Sequence, residues 1–353
     1  MGDGRRVEDY EYDLPAGQLA RYPSTERDAS RLMVAPRHGG QVEDRLFRDL
    51  PSLLSPGDVL VVNDSKVLPV RLKGRKPTGA PAEILLLRPW RGGEHGGEDP
   101  HVWEALVRPG GKLKPGRTVT VGPDLDVEIL DSVDGGGRVV RLRTELSVLE
   151  VLGRYGHVPL PPYLERDDEP LDRERYQTVY AEVPGSVAAP TAGLHFTVAL
   201  LAEIDALGVE RVAVTLDVGV GTFRPVEVDD PDLHVMHSER YSVPEATARS
   251  VGNAKREGRR VWAVGTTVVR ALESAAGEGG HIESGMGATE LFIRPPYEFE
   301  VADALITNFH LPRSTLLMLV AAFGGYERTM QAYQEAIRLG FRFYSYGDAM
   351  VLL

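Results

Sequence analysis

From residue 197 to residue 339 the sequence alternates between two hydrophobic periods, and that alternation leaves few folds open. Helix-type spacing at 197–207 (Val198, Leu200, Leu201, Ile204, Leu207, stopped by Gly208) gives way to a strand-type run at 211–216. A helix at 245–257, a strand at 259–264 and a helix at 267–275 follow. Strands at 290–293 and 304–307 then precede helices at 314–323 and 326–339. Strands that recur between helices pair in parallel and form a sheet covered on both faces. The expected class is α/β, a large domain with a mostly parallel sheet flanked by helices.

Upstream, strand signals fall at 31–35 and 58–62, the second leaving through Asn63-Asp64-Ser65. Between Leu72 and about Thr144 the texture changes. Short β-type runs at 82–87, 102–107, 118–121, 127–130 and 138–142 are separated by glycine-rich turns at 92–97, 110–111 and 135–137. Evenly spaced short strands predict a small β-barrel, and α/β texture on both sides makes it an insertion. The expected domains are 1–71 with 145–353, a discontinuous catalytic domain, and 72–144, the inserted barrel. Helices are expected at 145–154 and 172–180.

The 353 residues allow two domains, and 42% hydrophobic with 26% charged residues is ordinary for a globular chain. No cysteine is present, which excludes disulfides, thiolate zinc sites and cysteine nucleophiles. The start, Arg5-Arg6 leading into Val-Glu-Asp-Tyr, has no apolar signal core, and the longest apolar run, 316–323, is too short to span a bilayer. A cytoplasmic protein with no membrane contact is expected. The net charge of −12 argues against a non-specific nucleic-acid coat. Basic residues nevertheless cluster, with Lys66, Arg71, Lys73, Arg75 and Lys76 at one end of the barrel and Arg108, Lys112, Lys114 and Arg117 at a turn. They are either RNA-phosphate contacts or solvated turn residues.

The candidate chemistry lies in loops. Pro190 and Gly193 forbid regular structure at 188–197, where Thr191, His195 and Thr197 place polar side chains. Thr197 fits a helix N-cap, so this loop feeds a helix N-terminus suited to anions; a capped turn with a backbone-satisfied histidine is the alternative. Ligands of open parallel sheets bind beyond the carboxyl ends of strands. Here those exits are Asp217-Val218-Gly219-Val220-Gly221-Thr222, Gly265-Thr266-Thr267 leading to Arg270, and Asn308-Phe309-His310. Neither a Walker lysine nor a third dinucleotide glycine is present. The exits suit a nucleotide-like or carboxylate-bearing ligand. His234, His237 and Glu239 lack the i, i+4 pair of zinc hydrolases, so no metal is expected, and a His–Glu pair for orientation or proton transfer fits better.

Together these words resemble the S-adenosylmethionine:tRNA ribosyltransferase-isomerase family of the queuosine pathway. The likeness runs through Tyr12-Asp13-Leu14-Pro15, Arg27-Asp28-Ala29-Ser30-Arg31-Leu32, Val62-Asn63-Asp64, Tyr176-Gln177-Thr178-Val179-Tyr180-Ala181 and the 188–197 loop. It continues in Gly219-Val220-Gly221-Thr222-Phe223, His234-Val235-Met236-His237-Ser238-Glu239, Val264-Gly265-Thr266-Thr267 and Tyr344-Ser345-Tyr346-Gly347-Asp348. The resemblance implies an α/β domain interrupted by a small barrel. It also implies transfer and isomerisation of the ribosyl group of S-adenosylmethionine onto 7-aminomethyl-7-deazaguanine at the tRNA wobble position, giving epoxyqueuosine and releasing adenine and methionine. S-adenosylmethionine is then the ribosyl-donor substrate, no prosthetic group is needed, tRNA is the partner and a monomer suffices.

The sequence departs from the family pattern at Asp217, where histidine is usual, at Ser65-Lys66 and at Pro296. A carboxylate at Asp217 donates protons at neutral pH only if its pKa is raised. Catalysis then begins with a base removing a C5′ proton acidified by the sulfonium. His195, His237 and His310 are the candidates, and His195 is favoured. Glu239 and Asp217 would hold ribose hydroxyls or balance the sulfonium, and Asn308 or His310 would meet departing adenine. The helix N-termini at Thr197 and Thr267, with Arg270, would hold the methionine carboxylate, and Thr191, Gly219, Gly221, Thr222 and Thr266 would line the site. A methyltransferase using the same cofactor and a non-catalytic tRNA-binding protein are the other readings.

Overall fold

The computed structural model describes residues 2–93, 95, 97–219, 226–277 and 281–353. Gly221 and Thr222, two of the expected site residues, lie outside the described residues. The chain gathers into two compact units. The larger takes in 1–66, 161–166 and 175–353, and the smaller 67–160 and 167–174.

The larger unit is built on a nine-stranded sheet. From edge to edge its strands are Gly285–Thr289, Glu239–Val243, Glu210–Leu216, Val59–Asn63, Val261–Val264, Ala304–Asn308, Ala349–Leu352, Arg31–Ala35 and Glu43–Leu46. The four strands from Glu210–Leu216 to Ala304–Asn308 run parallel, as does the pair Arg31–Ala35 with Ala349–Leu352. The remaining neighbours are antiparallel, so the sheet is mixed, with its parallel part in the centre.

Strands Val59–Asn63, Val261–Val264 and Ala304–Asn308 are buried at every position because both faces of the sheet are covered, and their residues are apolar up to the polar carboxyl ends. Val59, Val61, Val261, Ala263 and Leu305 pack into one core with helices Glu245–Glu257, Thr266–Ser274, Thr315–Gly324 and Tyr326–Arg338. Their alternates Leu60, Val62, Trp262, Val264 and Ile306 pack into the other with helix Val198–Ala206 and the 3-10 turn Phe47–Leu53. The pleat thus sorts one continuous hydrophobic run onto two faces.

Two expected elements shift. The strand expected at 290–293 forms instead at Gly285–Thr289, pairing with Glu239–Val243. The Thr289 hydroxyl takes the Leu291 N–H at 3.1 Å and turns the chain before the apolar residues. The helix expected at 172–180 is only Asp172–Arg175, because Tyr176 and Thr178 are both buried, an alternation of two that a helix does not supply.

In the smaller unit six strands, Arg71–Arg75, Pro81–Pro89, Val102–Arg108, Gly137–Arg143, Leu125–Val133 and Thr118–Gly122, form a ring that closes where Arg75 pairs with Thr120. Gly74 sits at that closure, where a Cβ would lie 2.6 Å from the Thr120 carbonyl oxygen. No other residue lets the strands approach so closely. The unit also takes in helix Val148–Tyr155, capped by Ser147 and Glu150 in a reciprocal box. Among the described residues no helix is long and apolar enough to cross a membrane.

Candidate functional site

The carboxyl ends of the parallel strands are laced together in the larger unit. Asn63 donates from Nδ2 to the Leu216 carbonyl at 3.0 Å and to the Thr267 hydroxyl at 3.3 Å, while its Oδ1 accepts from Ser65 N and Leu216 N, both at 3.1 Å. Ser186 Oγ donates to the Ala188 carbonyl and accepts Val218 N–H at 3.0 Å, fixing the 188–197 loop to the same edge. Sequence reasoning named neither residue as part of a site. Asn63 was nonetheless detectable as a polar residue closing an apolar strand.

Beyond these strand ends opens a cleft, about 610 Å³ of empty space with the open solvent at its mouth included. Pro190, Thr191 and Ala192 line it on one side, Gly265, Thr266 and Thr267 at its floor, and Thr307, Asn308 and His310 beside them. Tyr163, Ser314, Tyr344 and Ser345 complete the wall, and the hydroxyls of Tyr163 and Ser345 meet there. These four were not foreseen as site residues, although Tyr344 and Ser345 stand in the word Tyr344-Ser345-Tyr346-Gly347-Asp348; in the structure Tyr344 is held at φ +73°, strained outside glycine.

Two histidines differ in what surrounds them. His195 is 4% exposed and stacks on Phe47 with ring centroids 5.0 Å apart. Its Nδ1 lies 2.7 Å from Ser30 Oγ and its Nε2 3.2 Å from Asn308 Nδ2. Asn308 Nδ2 can only donate and Ser30 Oγ donates to Arg27 O, so the imidazole is neutral with its proton on Nδ1. Burial, with Arg342 and Arg27 adding positive charge, pushes its pKa down to about 3. His195 therefore stands behind the cleft wall, holding Asn308, and is not among the residues that line it.

His310 does line the cleft and is partly exposed. Its Nε2 lies 2.8 Å from Thr307 Oγ1, whose own proton goes to the Asn308 carbonyl at 3.3 Å. With that proton so placed Thr307 accepts, which assigns the ring proton to Nε2 and leaves Nδ1 a lone pair with no partner among the described residues. Tyr12 O–H donates to the His310 carbonyl and Tyr333 Oη takes its N–H, so the backbone is held at both ends.

A second cleft shares Leu316 with the first. It is lined by His234, Val235, His237, Glu239, Arg270 and Phe292. Glu239 and Arg270 form a buried ion pair, each side chain 7% exposed. Glu239 also takes Gly219 N–H at 3.0 Å, and Arg270 reaches the Leu291 carbonyl at 3.2 Å and that of Thr289 at 3.4 Å. Arg270, one turn on from Thr266 and Thr267 in the same helix, is thus committed to Glu239 and to the Leu291 and Thr289 carbonyls. His237 is exposed, and His234 meets Phe292 edge-on, its pKa lowered by burial and by His237. Among the described residues no group of three His, Asp or Glu is placed to hold a metal.

Asp217 borders this edge with Arg240 3.4 Å from its carboxylate. Burial pushes its pKa up, Arg240 pulls it down, and Glu239 adds to the rise. Thr197 caps helix Val198–Ala206 by accepting Leu200 N–H at 3.0 Å, which occupies its hydroxyl oxygen. In the smaller unit Arg108, Lys112, Lys114 and Arg117 are exposed around one turn without an ion pair among the described residues. Lys73 instead pairs with Asp167 at 2.7 Å, Arg71 donates to the Leu160 carbonyl and Arg75 to that of Gly79. Lys66 is exposed in the larger unit, and Lys76 is half-buried.

A family model described as queuosine biosynthesis protein matches residues 7–352. An S-adenosylmethionine:tRNA ribosyltransferase-isomerase of Thermus thermophilus is 52% identical over 98% of this chain and 99% of its own length. The protein of that name from Heliobacterium modesticaldum is 51% identical over 98% of each. The crystal structure of an S-adenosylmethionine tRNA ribosyltransferase from Thermotoga maritima superposes with a TM-score of 0.56 at 37% identity, covering 98% of this chain and all of that one. A mixed sheet with laced strand ends, a closed six-stranded barrel and a match over nearly the whole length converge on one conclusion: this chain belongs to the queuosine biosynthesis protein family.

Proposed function

We propose that the larger unit's cleft carries out the reaction of this chain's relatives, moving and isomerising the ribosyl group of S-adenosylmethionine onto 7-aminomethyl-7-deazaguanine in tRNA. The observation that carries this assignment is His310, a cleft-wall imidazole whose Nε2 is taken by Thr307 and whose other nitrogen has no partner among the described residues. A lone pair of that kind removes a C5′ proton acidified by the adjacent sulfonium. The aminomethyl group of the tRNA base then attaches, and rearrangement expels adenine and methionine. His310 takes the role of base in preference to His195, both of whose nitrogens are occupied.

Glu239, held by Gly219 N–H and Arg270, stands as a fixed negative charge for the sulfonium or ribose hydroxyls, with His237 and Asp217 beside it on the same edge. Thr191, Thr266, Thr267 and Asn308 bind the donor. The exposed Lys112, Lys114, Arg108 and Arg117 of the barrel unit meet tRNA phosphates. The protein acts as a monomer in the cytoplasm, where its tRNA substrate is found.

Incubation with S-adenosylmethionine and the modified anticodon stem-loop, followed by mass spectrometry, tests this. Epoxyqueuosine with free adenine and methionine is expected. Release of S-adenosylhomocysteine would instead mark a methyltransferase, and binding without a mass change a non-catalytic RNA-binding protein.

A further inference from the structure

Asn308 is 2% exposed, and its side chain belongs to the cleft wall. Its orientation is fixed, because the atom 3.1 Å from the Tyr344 carbonyl oxygen must be the amide nitrogen. The second proton of that nitrogen goes to His195 Nε2 at 3.2 Å. Both donors are thereby used, and Oδ1 is left buried with no partner among the described residues. A buried acceptor without a donor is costly and marks a place where a ligand donor fits.

Its neighbour on the next strand is the start of a helix. Val264 pairs with Ile306, so Gly265-Thr266 and Thr307-Asn308 leave adjacent parallel strands side by side. Helix Thr266–Ser274 begins there on Gly265, at φ +95°, which offers no side chain to cap it. Val268 N–H goes to the Gly265 carbonyl at 3.1 Å, so the N–H groups of the cleft-lining Thr266 and Thr267 are the ones without a side-chain acceptor, and the helix dipole favours negative charge at that point. A row of donors beside one isolated acceptor, a strand spacing of about 4.8 Å apart, matches a carboxylate and an ammonium on the same carbon.

We propose that this corner is the receptor for the α-amino acid end of S-adenosylmethionine, with the carboxylate on the N–H groups of Thr266 and Thr267 and the ammonium on Oδ1 of Asn308. The inference rests on the assignment of the cleft as the donor-substrate site. It gives Asn308 Oδ1 the ammonium and His195 a positioning role, since His195 and the Tyr344 carbonyl hold the amide nitrogen and thereby keep the oxygen free of protein donors among the described residues.

Calorimetric titration of the full chain distinguishes the two levels of the argument. Three ligands are compared: S-adenosylmethionine, its analogue with hydrogen in place of the α-ammonium, and the decarboxylated analogue. Each analogue should bind the unaltered protein about tenfold or more weakly than S-adenosylmethionine. Asn308→Ala should weaken S-adenosylmethionine by a similar factor yet leave the analogue lacking the ammonium within about twofold of its wild-type affinity. Equal weakening of both ligands by Asn308→Ala overturns the assignment, as do analogues that bind the unaltered protein as tightly as S-adenosylmethionine. The analogue series alone decides the matter if Asn308→Ala does not fold. Thr191→Trp, which fills the cleft, should abolish binding of all three ligands. Retained binding there removes the cleft assignment and this inference together, whereas lost binding with no preference among the analogues removes only the inference.

Discussion

Thr307 decides what His310 is able to do. Its oxygen accepts the Nε2 proton because its own hydrogen is directed to the Asn308 carbonyl, and the base nitrogen is therefore open before substrate arrives. Thr307→Val removes that direction and lets either tautomer form, so kcat should fall about tenfold, with KM for S-adenosylmethionine changed less than about twofold. His310→Ala should lower kcat about a hundredfold or more in the same assay. Burial holds the His310 pKa down to about 3, so its lone pair persists through neutral pH and kcat should show no acid limb near 6.5. His195, like His310, also answers to pH through stability. Folded it titrates at about 3 and unfolded at its ordinary 6.5, so between those values the unfolded chain alone takes up the proton. Its contribution is whole above pH 6.5 and declines as pH falls, by about 1.4 kcal/mol per unit. Urea midpoints should therefore drop between pH 7 and pH 5, and less steeply in His195→Gln. That the 188–197 loop reaches the site was legible from its proline, glycine and threonines. Which histidine faced the cleft was not, because direction within a single 3-10 turn depends on partners such as Ser30 and Asn308, over a hundred residues away in sequence.

At the level of elements, the pair Glu239–Arg270 joins an antiparallel edge strand to helix Thr266–Ser274. Arg270→Ala leaves a buried carboxylate without its guanidinium partner, and should destabilise the protein by about 3–5 kcal/mol in denaturant unfolding. Glu239→Gln, which keeps an acceptor for Gly219, should cost less. The central parallel strands and the long helices were readable because an apolar run covered on both sides, or a three-four spacing, needs no knowledge of distant neighbours. The edges were not readable. Glu43–Leu46 and Gly285–Thr289 are mostly exposed and carry few apolar residues, and they are strands because a neighbour offers backbone hydrogen bonds. In the barrel, Gly74→Val forces a side chain against the Thr120 carbonyl where the ring closes. Loss of the cooperative β-sheet transition of that unit in thermal circular dichroism is expected.

Across the whole molecule a net charge of −12 coexists with an exposed basic turn, so RNA affinity depends on where charge is placed and not on its sum. Changing Lys112, Lys114 and Arg117 together to Glu should reduce the slope of log affinity against log salt by about 2–3, measured by filter binding to the tRNA. Reversal that leaves the slope unchanged would assign the phosphate contacts elsewhere. The division into α/β and barrel textures could be read from glycine-rich turns alone, yet the turn from 108 to 118 gave no sign of which cations were free of partners. Strand Ala349–Leu352 lies inside the large sheet, between Ala304–Asn308 and Arg31–Ala35, although more than 300 residues of chain separate it from Leu32. On the ribosome, the barrel has all its strands long before residue 349 is made, while strand Arg31–Ala35 waits without its parallel neighbour. A nascent chain halted short of that point would carry a finished barrel and an open, sticky sheet edge, dependent on chaperones until Ala349–Leu352 emerges to fill it.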